Sequence, residues 1–271
     1  RADLAAFRRV GGHLAALGLS APAELAADAR AGLLVLEDLG DATLARLLAG
    51  GDRAARSAYD TAADLLDRLA ADPVPGWAAR PDSATLAAMP APTLGLLPDD
   101  PALRALPALL AEALGAHAGG PPVLALRDYH GDNLIWLPRR AGPARIGLLD
   151  FQDAVALPLG YDLASLLDDP RRELPEGWRA ALVARFAGAN GLGPEAASAR
   201  LAVLSLLRNL RILGIFRRLS TTGGKPRYEA FLPRTGALID SAAAHPALAR
   251  LRAPVARLRG LSAHWAAGTT A

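Results

Sequence analysis

Apolar residues recur at helical spacing from the start of the chain: Leu4, Phe7, Val10, Leu14 and Leu17 share one face of a segment that predicts a helix over 1–17. Gly18 to Pro22 stop it. The apolar run within Gly32–Gly40 is too short for a helix and predicts a buried strand. Asp41 and Thr43 offer caps for a helix through Leu48. Ala58, Ala62, Leu65, Leu66 and Leu69 then place one apolar face on a helix over 53–70. From Asp72 to Pro107 eight prolines interrupt any period, which predicts a meandering connection with at most short helices. A connection of that length suits a pocket wall as well as an idle loop.

A helix over 103–118, stopped by Gly119-Gly120-Pro121-Pro122, precedes a region of a different kind. Three short apolar strands are predicted at 123–126, 134–137 and 145–149, separated by a polar loop over 127–133 and a turn over 138–143. Polar residues stand at the strand ends. Beyond Gly160 the helical period returns at 161–168, 178–189, 195–219, 234–243 and 248–265, without internal repeats or a low-complexity tail.

The 271 residues are 52% hydrophobic, enough for one large domain or two unequal lobes. The absence of cysteine excludes a disulfide framework and thiolate metal sites, and agrees with a reducing cytoplasm. The most apolar stretch, 201–216, is broken by Arg208, Asn209 and Arg211, which argues against a membrane span. Net charge is +3, with Lys225 the only lysine. The arginines are scattered among the helices rather than gathered in a basic tract with interleaved aromatics, which argues against a nucleic-acid partner. Nothing in the pattern decides between monomer and dimer.

Phosphoryl transfer asks a protein for a carboxylate that orients and deprotonates the acceptor hydroxyl, and for oxygen ligands that hold magnesium on the phosphates. Magnesium keeps several waters, so one carboxylate and one amide can suffice. Arg127-Asp128-Tyr129-His130-Gly131-Asp132-Asn133 has the form R-D-x-x-x-x-N, with Asp128 as base and Asn133 as metal ligand. Seventeen residues after Asn133, Asp150 followed by Phe151 ends a predicted strand, as a second metal ligand does in that pattern. Asp and Asn are common turn formers on their own. Their order along strand, loop, strand, turn and strand is what points to a phosphotransferase.

His130-Gly131-Asp132 offers a competing base, but five positions after Asp132 stands Leu137, which cannot bind magnesium. Asp128 is therefore preferred. A His/Asp metal site around His130 would need further ligands, and His13, His117, His245 and His264 share no motif with it. His130 reads either as a brace of the loop or as a residue facing the acceptor.

With these motifs the chain resembles the aminoglycoside phosphotransferase and choline kinase superfamily over about residues 4–261. Within it, RDYHGDNLIWLP, GLLDFQDA, YDLASLLDD and RNLRILGIF are similar to segments of the bacterial anomeric N-acetylmuramate/N-acetylglucosamine kinases of cell-wall recycling. The resemblance implies a protein-kinase-like α+β fold, ATP and Mg2+ as cofactors, and transfer to the C1 hydroxyl of an amino sugar. It implies Asp128 as base, Asn133 and Asp150 as magnesium ligands, and backbone groups of Glu37 and Leu39 at the adenine. Asp162 becomes the buried carboxylate that braces the catalytic loop. Asp132 and Asp153 become candidate sugar contacts, and Arg208 and Arg211 candidates for an acidic sugar such as one carrying a lactyl carboxylate. For the arginines an amphipathic core helix with a solvated edge is the simpler reading.

Leu126 stands where the kinase motif has a histidine, and 72–107 lacks the aromatic, helix-rich acceptor segment of the similar kinases. No G-x-G-x-x-G occurs, and Lys225 lies far beyond the catalytic loop. With Arg1 as first residue, most of a small N-terminal lobe is expected to precede this chain. Residues 1–39 are then its remnant, and 40–271 the helical C-terminal phosphotransferase lobe. The alternatives are an aminoglycoside- or choline-type phosphotransferase, and a protein that lacks the lobe and binds ligand without turnover.

Overall fold

A computed structural model describes residues 2–28 and 30–265; Arg1, at the head of the first predicted helix, lies outside the described residues. Helix α1 (Ala2–Ala16) buries Val10 and Leu14. Gly18, at φ +75°, lets the chain turn so that the Leu19 amide reaches back to the Leu14 carbonyl at 3.0 Å.

Strand β1 (Glu24–Asp28), absent from the sequence reading, pairs antiparallel with β2 (Leu33–Leu36). Its connection is an Asp turn in which Asp28 Oδ1 accepts the amides of Arg30 and Ala31 at 2.9 and 3.0 Å. The predicted strand forms, but its predicted burial is corrected: Leu33 is 63% and Val35 55% exposed. An apolar run signals a strand without saying what covers its faces.

Thr43 caps α2 (Leu44–Ala49) by accepting the Arg46 amide at 3.1 Å. Helix α3 (Ala54–Ala70) buries Ala58, Ala62, Leu65 and Leu69 along the predicted face. The proline-rich stretch becomes three short helices, α4 (Ser83–Ala87), α5 (Ala91–Leu94) and α6 (Pro101–Arg104), before α7 (Leu106–His117). Asp82 caps α4 and Asp100 caps α6.

Four strands follow: β3 (Pro122–Ala125), β4 (Leu134–Trp136), β5 (Ile146–Leu148) and β6 (Val155–Pro158). Strands β4 and β5 pair antiparallel, Leu134 opposite Leu148 and Trp136 opposite Ile146. Strand β3 pairs instead with β6, which the sequence reading lacked because four residues ending in proline carry little signal. Arg145 belongs to a 3-10 turn over Gly142–Arg145 and not to a strand. Helices α8 (Tyr161–Leu167), α9 (Trp178–Ala189), α10 (Pro194–Thr221), α11 (Leu232–Ala243) and α12 (Arg252–Ser262) complete the chain. The single helix expected over 248–265 is divided into a 3-10 segment over Pro246–Leu251, α12, and a 3-10 turn over Ala263–Trp265. Among the described residues no helix is long and apolar enough to cross a membrane.

The chain forms two compact units. The first comprises residues up to Arg80, Pro122–Leu166 and Leu174–Asn190, and holds all three strand pairs. Its core includes Leu14, Tyr59, Leu65, Tyr129, Leu134 and Phe151. The second comprises Pro81–Pro121, Leu167–Glu173 and the chain from Gly191 onward, built around α10. That helix begins with Pro194 in its first turn, buries every residue from Leu201 to Leu210, and packs on α5, α7 and α11.

Candidate active site

The loop between β3 and β4 is held by its own backbone. The Asp128 amide donates to the Leu126 carbonyl at 2.9 Å, the His130 amide to the Asp128 carbonyl at 3.1 Å, and the Asn133 amide to the His130 carbonyl at 2.9 Å. Asp162, in the first turn of α8 and 5% exposed, fastens the loop's entrance: its carboxylate accepts the amides of Leu126 at 2.6 Å and Arg127 at 3.0 Å. Ser165 donates to the Arg127 carbonyl at 3.3 Å. Arg127 is thereby held at φ +70°, a left-handed conformation unusual for a non-glycine residue. Tyr129 anchors the loop inward by donating its hydroxyl to the Ala62 carbonyl at 2.7 Å. Burial, and then the Asp162 charge, push its phenol well above the usual tyrosine range.

Register in the β4–β5 pair brings the proposed metal ligands together. Asn133 directly precedes Leu134, and Leu148, its partner, is followed by Leu149 and Asp150; the Leu149 amide donates to the Asn133 carbonyl at 2.9 Å. Asn133 gives its side-chain amide to the Asp128 main-chain carbonyl at 3.0 Å. Among the described residues its Oδ1 has no partner, and neither has the Asp128 carboxylate. Asp150, exposed and at φ +56°, accepts from Gln152 through Oδ1 at 2.7 Å and keeps Oδ2 free of protein partners among those residues. Hard oxygens left without protein donors on two adjacent segments fit a magnesium ion that retains several waters.

Phe151 turns inward and stacks on Phe7 of α1, the ring centroids 4.9 Å apart. That ring lies against Gly11, where a Cβ would be in ordinary contact with it at 3.4 Å. His130 is buried, with Nε2 3.5 Å from the Asn133 amide nitrogen and Nδ1 3.6 Å from the Asp132 carboxylate. Asp132 is exposed. Asp153 lies 3.5 Å from the Arg127 guanidinium.

At the end of β2, the Glu37 amide donates to the Ala23 carbonyl at 2.8 Å, and its carboxylate binds Arg140 at 2.5 Å and the Ala23 amide at 3.2 Å. The Glu37 carbonyl and the Leu39 amide make no hydrogen bond among the described residues. Gly147 accommodates the Leu39 side chain, which a Cβ would meet at 2.8 Å.

Arg208 and Arg211 belong to α10 in the second unit. Arg208 is 3% exposed, so the solvated edge expected of this pair is corrected at that position. Its neighbour Asn209 donates to the Asp168 carbonyl and the Ser205 hydroxyl, both at 3.3 Å. Arg211 is half-buried, and its guanidinium has no hydrogen bond or ion pair among the described residues.

Several contributors escaped the sequence reading: Arg127 with Asp153, Ser165, Gln152 on Asp150, Arg140 on Glu37, and Phe7 on Phe151. Only Gln152, two positions from Asp150, has a local signal. The others depend on contacts distant in sequence.

Residues 1–202 match the model of the phosphotransferase enzyme family. The chain is 43% identical to a protein named N-acetylmuramate/N-acetylglucosamine kinase from Caulobacter vibrioides, over 92% of this chain and 73% of that protein. It is 32% identical to a protein of the same name from Pseudomonas aeruginosa, over 92% and 76%. Among solved structures it resembles a choline/ethanolamine kinase family protein from Mesorhizobium loti, with TM-score 0.63 and 16% identity over 93% of this chain and 81% of that one. It also resembles aminoglycoside 2'-phosphotransferase-IIIa in its GDP complex, with TM-score 0.58 and 15% identity over 90% and 82%. The fold is thus the protein-kinase-like one of these kinases, mostly helical with small sheets.

Proposed function

Because the chain belongs to the phosphotransferase enzyme family, we propose that it transfers the γ-phosphoryl group of ATP to the anomeric hydroxyl of N-acetylmuramate or N-acetylglucosamine. The observation that carries this is the Asp128 carboxylate, without a partner among the described residues, on a loop whose Asn133 also leaves an oxygen unpaired among them, beside Asp150. Asp128 aligns the sugar hydroxyl and takes its proton as the oxygen attacks. Asn133 Oδ1 and the Asp150 carboxylate would hold magnesium, which would supply charge neutralisation for phosphoryl transfer. The Glu37 carbonyl and Leu39 amide, unpaired among the described residues, supply an acceptor and a donor for the adenine edge. Residues 1–39 then carry the nucleotide-facing strand and hinge, and 40–271 the groups for transfer and acceptor binding.

Asp132 and His130 flank the base and would meet sugar hydroxyls or brace the loop toward them. Consumption of ATP and of sugars released by cell-wall recycling sets the reaction in the cytoplasm. The test is coupled ADP formation with N-acetylmuramate, N-acetylglucosamine, choline and kanamycin in turn. Turnover is expected with the amino sugars and should fall about 10²–10⁴-fold in Asp128→Asn. Turnover with choline or kanamycin alone would reject the substrate, and none with any acceptor would indicate a binding-only protein.

A further inference from the structure

Among the described residues only Arg127 and Asp150 are non-glycine positions with positive φ, and they lie on the two segments that build the candidate site. At such a position glycine avoids the clash that a Cβ makes. Strain retained at a site points to a job for the side chain. The Arg127 backbone is fastened through its amide to Asp162 and through its carbonyl to Ser165, so the side chain leaves the loop from a fixed stem. Its Nη1 lies 3.5 Å from Asp153 Oδ2, three residues beyond Asp150. On the other flank the Leu149 amide donates to the Asn133 carbonyl. The base-bearing loop and the turn after β5 are therefore tied on both sides, once by backbone and once by this ion pair.

We propose that Arg127 is a positioning residue: through Asp153 it holds the turn carrying Asp150 against the loop carrying Asp128 and Asn133, setting the spacing of the metal-ligand oxygens. This assignment rests on the reading of Asn133 and Asp150 as magnesium ligands, and it gives Asp153 an internal role in place of a sugar contact. A lysine at 127 would keep the charge but not the geometry of the guanidinium. A glycine would remove the side chain and the backbone strain together, which separates the positioning role from stability.

The test uses R127G, R127K, D153N and the double variant R127G/D153N in the full chain. R127G is expected to unfold at the wild-type temperature or above. R127G and D153N should each raise the Mg2+ concentration for half-maximal rate about fivefold, the scale of one exposed ion pair. KM for the amino sugar should stay within twofold, R127K should recover part of the loss, and the double variant should be no worse than either single change. Mn2+ binding in the presence of ADP and without acceptor, followed by electron paramagnetic resonance, should weaken by the same factor. That readout also separates the two hypotheses: Arg127-dependent Mn2+ binding without amino-sugar turnover rejects the substrate reading alone. Wild-type metal dependence in R127G overturns the positioning role, as does a D153N defect confined to sugar KM, or additive losses in the double variant. Absence of Mn2+ binding by the wild type overturns both.

Discussion

Asn133 donates its side-chain amide to the main-chain carbonyl of Asp128 at 3.0 Å, so the proposed metal ligand also fixes the residue that would take the proton. Asn133→Asp retains an oxygen ligand but loses that donor and sets a carboxylate against the Asp128 carbonyl. Asn133→Ala loses ligand and donor together. We expect kcat to fall about 10–100-fold in Asn133→Asp, the usual effect of removing a group that orients a metal site, and further in Asn133→Ala. The Mg2+ requirement should rise more steeply in the alanine variant. A wild-type kcat in Asn133→Asp would contradict the dual role.

Asp162 accepts one buried amide, Leu126, and one part-buried amide, Arg127, with its two oxygens. Asp162→Ala leaves both without a partner, at about 1–3 kcal/mol for each buried group. A chain of this size loses about 2–4 °C of midpoint per kcal/mol, so a drop of several degrees is expected in a thermal melt. Asp162→Asn, with one acceptor oxygen in place of two, should fall between. An unchanged midpoint in Asp162→Ala would show that water replaces the carboxylate.

These two relationships differ in how far the sequence reveals them. The order Asp128, Asn133, Asp150 is legible because the spacing of a short loop and the register of an adjacent strand pair are local properties. The bond from Asn133 to Asp128 lies within that span. The left-handed Arg127 is invisible, because its conformation is imposed by Asp162, 35 residues later. The exposure of Leu33 and Val35 is hidden for a similar reason, since a hydrophobic run specifies a strand and not the layer above it. The 72–107 segment read as irregular for want of a period, which hid the role of Thr93.

Thr93, in α5, inserts its hydroxyl into the hydrogen-bond ladder of α10. It accepts the Gly214 amide at 2.7 Å and donates to the Leu210 carbonyl, two groups that an unbroken helix would join directly. Thr93→Val preserves shape but leaves both buried groups unpaired, so a loss of about 1–3 kcal/mol per group is expected, with Thr93→Ser less affected. Gly214→Ala should be more damaging than Thr93→Ser. Its Cβ would lie 2.4 Å from the Pro92 backbone, which cannot swing aside as a side chain does. Chemical denaturation of the three variants gives the order directly, and a wild-type midpoint for Gly214→Ala would contradict the close approach.

Asp67 supplies a pH-dependent term. Burial raises its carboxyl above the ordinary value, and the Asn190 amide, 3.2 Å away, offsets only part of that shift. A folded-state value above the unfolded one means that the group's contribution is fully present below the unfolded pKa, about 3.9, and is lost as pH rises through the folded value. At neutral pH the ionised carboxylate therefore opposes folding. Asp67→Asn removes the charge and keeps an acceptor for Asn190, so its melting temperature should exceed that of the wild type at pH 7. The advantage should shrink toward zero as pH falls below about 4, where the wild-type carboxyl is protonated in both states. A gain of the same size at both pH values would assign the effect to packing rather than to the buried charge.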